Sequence, residues 1–263
     1  MHSLTSLHWW ALLLLTTTVA VVAAIGARLV VARTQGDAGD ESVRHAGPLM
    51  PALGVLFAFL SGFVITTEWT QQSQTESVVQ HVASASARLA WASTAPGVQT
   101  ARIQDSLARD LTATITVDWS ELKADRTRDV ILTDQFRDLE SAVRLSATAP
   151  GVATPAGTEL LASIDELAAA RRDLASSASR NLPTLLFAAL AISGLALIAN
   201  AATLTIRSRR RTMLVISSIV AIVAVDLTVL LVLAAPFRGT QTISPAPIEQ
   251  VAAQIDAGWF HLQ

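Results

Sequence analysis

Of 263 residues, 51% are hydrophobic and only 15% charged, a balance too apolar for an ordinary water-soluble domain and suited to a chain that meets lipid. The formal net charge of -2 excludes the basic face that a nucleic-acid-binding protein needs. The absence of cysteine excludes disulfides and thiolate metal sites.

Residues 9–31 form the first apolar run, with Arg28 and Arg33 at its far end. No Lys or Arg precedes Trp9, and the run is longer than the core of a signal peptide. A retained span is therefore expected over a cleaved leader. Gly36, Asp37, Gly39, Asp40 and Glu41 make residues 34–47 read as a short polar connection. Residues 49–67 carry no charge and predict the second span, with Pro48 and Pro51 in its first turn. Within it Gly54, Ala58 and Gly62 recur every fourth residue, a stripe that lets another helix approach closely.

Glu68 and Trp69 mark the water boundary, yet no loop signal follows. Val78, Val79, Val82, Ala85 and Leu89 keep a helical period, so the same rod is expected to continue into water. Residues 70–181 read as an extramembrane bundle of about four helices. Its stripes are Ile103, Leu107 and Leu111; Leu132, Phe136, Leu139 and Val143; and Leu160, Ile164, Leu167 and Leu174. Pro96-Gly97 and Pro150-Gly151 break it. Its interleaved charges read as a solvated surface.

Residues 182–206 predict the third span, which contains Asn200, a candidate for a pore or polar layer, and ends at Arg207, Arg209, Arg210 and Arg211. Residues 213–235 predict the fourth, with Asp226 near its middle. A carboxylate at that depth is expensive unless paired, protonated or facing water. Counting about 1.5 Å per residue from the boundaries brings Thr17 and its neighbours, Ser61 and Ser193 to nearly the same level. A polar layer joining the four spans at Asp226 is expected; its structural alternative is a hydrogen-bonded acid that only holds helices together.

Basic short loops stay cytoplasmic, and Arg28, Arg33 and Arg44 lie on the same side as the cluster at residues 207–211. Both termini and residues 70–181 are then expected outside the cytoplasm of a plasma (inner) membrane. The tail, residues 236–263, opens with Pro236-Phe237-Arg238-Gly239. Ser244 is expected to cap a helix in which Ile248, Val251, Ile255 and Trp259 share a face. Arg238 and Glu68 both belong at the outer boundary, where an ion pair between them is geometrically allowed.

The fold class is thus all-α: two membrane hairpins, residues 1–69 and 182–235, with a helical bundle inserted between spans two and three. Here the chain resembles the bestrophin-like family of bacterial membrane proteins of unknown function. The resemblance rests on GVLFAFLSGFVITTEW at the second span, Val117-Asp118-Trp119 in the bundle, and AAPFRGTQTISPAPIE at the close. The chain departs from it at Ala234-Ala235, where members carry Asp-Arg, and at Val82-Ala83, where they carry Glu-Ala. The family name implies similarity to anion channels built as oligomers of four-span subunits. Bestrophins hold their large domain in the cytoplasm, whereas the arginines here put it outside.

No P-loop, G-x-S-x-G, H-E-x-x-H or dinucleotide fingerprint occurs, and the five histidines are scattered. No enzyme, cofactor or metal site is expected. Two functions remain open. One is a homo-oligomeric channel or transport protein for an inorganic ion; the other is a non-conducting scaffold or accessory subunit whose outer bundle binds a partner protein.

Overall fold

The computed structural model describes residues 9–33, 37–124, 133–178, 184–204, 209–233 and 242–260. Every regular element among them is helical: α1 (Trp9–Arg33), α2 (Asp37–Ala92), α3 (Thr100–Ala113), a π-helical turn (Thr114–Asp118), α4 (Trp119–Ala124), α5 (Asp134–Ala147), α6 (Thr154–Ala178), α7 (Thr184–Leu204), α8 (Arg209–Leu233) and α9 (Ala246–Asp256). The helices divide into two compact units, one of residues 1–71 with 181–242, the other of residues 72–180 with 243–263.

In the first unit, α1 packs on both α7 and α8. Four helices, carrying apolar stretches at Trp10–Val30, Ala46–Ala92, Leu185–Leu204 and Ile216–Leu233, are long and apolar enough to cross a bilayer. Their shared core holds Ala20, Ala24, Phe57, Val64, Leu190, Leu197, Ile198, Val220, Val223 and Leu230. Gly194 makes this close fit possible. A Cβ there would lie 3.0 Å from Val223 Cγ1 and 3.1 Å from Phe57 Cε2, so a larger side chain would require the Val223 and Phe57 side chains to shift. The opposite faces bare Leu14, Val19, Val22, Val55, Phe59, Leu185, Ile192 and Leu214. Such a belt is costly in water and satisfied by lipid.

The polar connection expected at residues 34–47 differs from what is found, because α2 already begins at Asp37. Acidic residues 37, 40 and 41 precede Arg44 along this stretch, the order that a helix dipole favours. Pro48 and Pro51 consequently sit inside α2 rather than in a first turn. Each removes one N–H from the ladder and crowds the preceding turn. The helix then runs without a break through Ala92, as the periodicity across Glu68 and Trp69 predicts.

The second unit is a bundle in which α3 packs on α5 and on α9, and α5 packs on α6. Leu89, Ile103, Leu107, Leu139, Val143, Leu160, Leu167 and Ile248 are fully buried. Two Pro-Gly turns meet: Gly97 has φ +84°, and a Cβ on it would fall 2.5 Å from the Gly151 carbonyl oxygen. At Gly157 a Cβ would come 2.6 Å from the Ala147 oxygen, so this glycine sets the spacing of α5 and α6. The tail folds onto α3. Its helix starts one residue later than expected, with Ser244 Oγ accepting from the Ala246 amide at 3.2 Å. Its apolar face stops at Ile255, because the chain turns at Gly258 (φ +71°) and leaves Trp259 exposed.

Candidate functional site

At mid-span in the first unit, Ser61 of α2 donates to Asp226 Oδ2 of α8 at 2.8 Å. Ser61 is buried and Asp226 half-buried. Close by along α8, the Thr228 and Thr16 hydroxyls lie 2.8 Å apart, and the Ala224 carbonyl accepts from Thr228 at 2.7 Å and from Thr16 at 3.2 Å. A carboxylate and three hydroxyls therefore tie α1, α2 and α8 together within an otherwise apolar bundle.

Other expected members of the layer fall elsewhere. Thr17 is half-buried, and its neighbour Thr16 makes the contact with α8. Ser193 is buried but donates to Leu190 O of its own helix at 2.9 Å. Asn200 belongs to another level: its Nδ2 donates to the Ala46 carbonyl at 3.0 Å and lies 3.4 Å from Met50 Sδ. Seven residues separate Ser193 from Asn200, about 10 Å along the helix. Asn200 thus pins α7 to the proline-bearing stretch of α2.

Glu68 is buried and Trp69 exposed. Ser61 and Glu68 are seven apart and share the inward face of α2 with Val64. Gly54 is half-buried, and Ala58 and Gly62 are exposed; a Cβ at either glycine would meet nothing within 4 Å. Arg209, Arg210 and Arg211 open α8. Arg207, Pro236, Phe237, Arg238 and Gly239, and with them the pairing of Glu68 with Arg238, lie outside the described residues.

The second unit holds a site that a reading of its charges as solvated surface misses. Arg171 of α6, at 2% exposure, sends Nη1 to both Asp110 oxygens at 2.9 and 2.8 Å and to Thr114 Oγ1 at 2.8 Å. Nη2 reaches Asp118 Oδ2 at 2.8 Å. The guanidinium stands 5.0 Å from the centre of the Phe136 ring, within cation–π range. Burial, opposed by Arg171 and reinforced by Asp118, pushes the Asp110 carboxyl up to about 6.

The π turn explains the alignment. Eight residues of regular α-helix end about 80° away from the starting face. The wider turn over Thr114–Asp118 reduces that offset, so Asp110, Thr114 and Asp118 converge on one side chain. Thr114, Ile115, Thr116 and Val117 are all β-branched and crowd a regular helical turn.

On the surface of this unit Arg88 of α2 bridges two acids of α6, Glu159 at 2.9 Å and Glu166 at 2.5 Å, and His81 Nε2 lies 3.5 Å from Glu166. Such exposed pairs contribute about 0–1 kcal/mol.

No curated protein and no solved structure matches the chain. The bestrophin-like domain, by contrast, is matched across residues 18–248, from the first span through the start of α9. A match of that extent makes the chain, a protein with four membrane-capable helices, a member of the bestrophin-like family.

Proposed function

We propose that this is a homo-oligomeric, multi-pass protein of the plasma membrane that moves an inorganic ion along the polar seam of its spans. The observation that carries this reading is the Ser61–Asp226 contact, a half-buried carboxylate at the depth where hydrocarbon is driest. Rings of such side chains around an oligomer axis set ion selectivity. The largely exposed small-residue stripe of α2, whose Gly54 and Gly62 meet nothing within 4 Å of a built Cβ among the described residues, is the face on which a neighbouring subunit would pack.

Three features support an orientation with the bundle outside. Residues 72–180, which follow the second span, and residues 243–263, which follow the fourth, belong to one compact unit, which favours a common side for both. Trp10, at the start of α1, and Trp69, at the end of the second span, are both exposed, as interfacial tryptophans are. Arg33 and Arg209–211 occupy the other ends. Positive loops face the cytoplasm, which leaves the helical bundle and both termini outside.

A second reading, a non-conducting scaffold, is favoured by the closure of Thr16, Thr228 and Ser193 on partners inside the bundle. On either reading the protein is not an enzyme, since no catalytic motif occurs in the sequence.

Reconstitution in a planar bilayer separates the two. Current from the intact oligomer, with a reversal potential altered by Asp226→Asn, is the expected result. Silence across salt gradients and voltages would leave the scaffold.

A further inference from the structure

We propose that the ion carried along the seam of the spans is an alkali metal cation, held in passage at the Asp226 carboxylate; this rests on the transport reading above and fixes its substrate class. Residues 9–27, 49–67, 182–206 and 213–235 contain no Lys, Arg or His, and their one ionisable side chain is Asp226. An anion passing mid-span therefore meets a like charge and no opposite one, at a depth where little solvent screens it. The basic side chains nearest to these runs lie at or beyond their ends, where salt screens a charge within about 8 Å. Along α2 the next ionisable group is Glu68, seven residues from Ser61 on the same inward face, and it too is acidic.

Hydrogen bonding points the same way. Ser61 gives its one proton to Asp226 Oδ2, Thr228 gives its own to the Ala224 carbonyl, and Ser193 to Leu190 O. Thr16 Oγ1 stands 2.8 Å from the Thr228 hydroxyl and 3.0 Å from the Leu12 carbonyl, so its proton is committed as well. A hydroxyl carries one proton and two lone pairs, and a carboxylate only lone pairs. What these groups keep to offer a passing ion is acceptor oxygen. Oxygen lone pairs replace the water around a hard cation, whereas an anion needs N–H or O–H donors. Protons tied to fixed partners also disfavour a relay of H+, which needs hydroxyls that hand theirs on. One carboxylate per chain matches a single positive charge.

The experiment places the purified full chain in a planar bilayer under a steep KCl gradient. Current should reverse near the potassium equilibrium potential, with K+ favoured over Cl− by at least about tenfold. Asp226→Asn keeps a partner for Ser61 and removes the charge, so it should bring that preference down toward unity, while Asp226→Glu should keep it. Reversal at the chloride potential overturns the proposal, as does a preference that Asp226→Asn leaves unchanged, or current that follows only a pH gradient. A second measurement needs no current. A membrane-soluble carbodiimide labels a protonated carboxyl, and a cation bound at Asp226 displaces that proton. Labelling of the Asp226 peptide, read by mass spectrometry, should be slower in KCl than in N-methylglucamine chloride of equal concentration, and the slowing should saturate. Equal labelling in the two salts overturns the proposal whatever the bilayer shows. A silent bilayer with slowed labelling overturns transport and upholds the cation site at Asp226, so the two failures are told apart.

Discussion

Arg171 is where a single side chain decides most. Truncating it to methionine would take the guanidinium away from two buried carboxylates, a change that costs about 3–5 kcal/mol. The triple variant Arg171→Met, Asp110→Leu, Asp118→Leu removes all three charges together and should recover most of that loss, because buried ion clusters are weak net stabilisers. Urea unfolding of the full chain in detergent, followed by circular dichroism, would compare the two. The sequence did contain the signal for this site. Asp110 stands three residues beyond Leu107, and Arg171 four beyond Leu167, so both sit in register with apolar stripes rather than opposite them. Interleaved charge elsewhere in the bundle hides that register. A second residue-scale consequence lies at Gly97. Alanine there would combine a left-handed φ with a 2.5 Å approach to the Gly151 oxygen, and a loss of about 1–3 kcal/mol is expected in the same assay.

At the scale of elements, hydroxyls act as connectors between helices whose apolar faces resemble the lipid around them. Thr16 and Thr228 join α1 to α8, while Ser61 and Asp226 join α2 to α8. Double-mutant cycles with Thr16→Val and Thr228→Val should give a coupling of about 0.6 kcal/mol, typical of hydrogen bonds between membrane helices. Coupling near zero would mean that each threonine is satisfied by its own helix. Apolar length made the four spans legible in the sequence, and charge depth singled out Asp226. Depth counting also gathered Ser193 into the same layer, and Asn200 stood beside it as a pore or polar-layer candidate. It could not see that a serine in a helix can return its proton to its own backbone, or that Asn200 sits about two turns away beside the two prolines. The start of α2 was hidden for a related reason: Gly and Asp suggest a loop, but helical order in this stretch is set by acids leading a cation and by the long rod that follows.

For the whole molecule, the proposed topology, set by two clusters of arginine with the second unit outside, is open to direct test. A single cysteine at Ser120, on the exposed surface of α4, should react with an impermeant maleimide in intact cells. A cysteine at Ser208, between α7 and α8, should react only after the membrane is opened. The reverse pattern would invert the topology while leaving the helices as they are. Deleting residues 243–263 tests the second unit itself. It uncovers the partners of Ile248, Val251 and Ile255, each worth about 1.5–3 kcal/mol on burial, and should raise proteolysis of the bundle without preventing insertion of the spans.

The tail on α3 also sets an order of events in the cell. Chains emerge from the ribosome amino end first, so α3, α5 and α6 are made well before α9. The bundle that begins after the second span cannot finish its core until the fourth has been threaded and residues 243–263 released. A chain that stalls in translation, or inserts only three spans, therefore presents an unfinished apolar face to proteases, and completeness of synthesis is read out as completeness of folding.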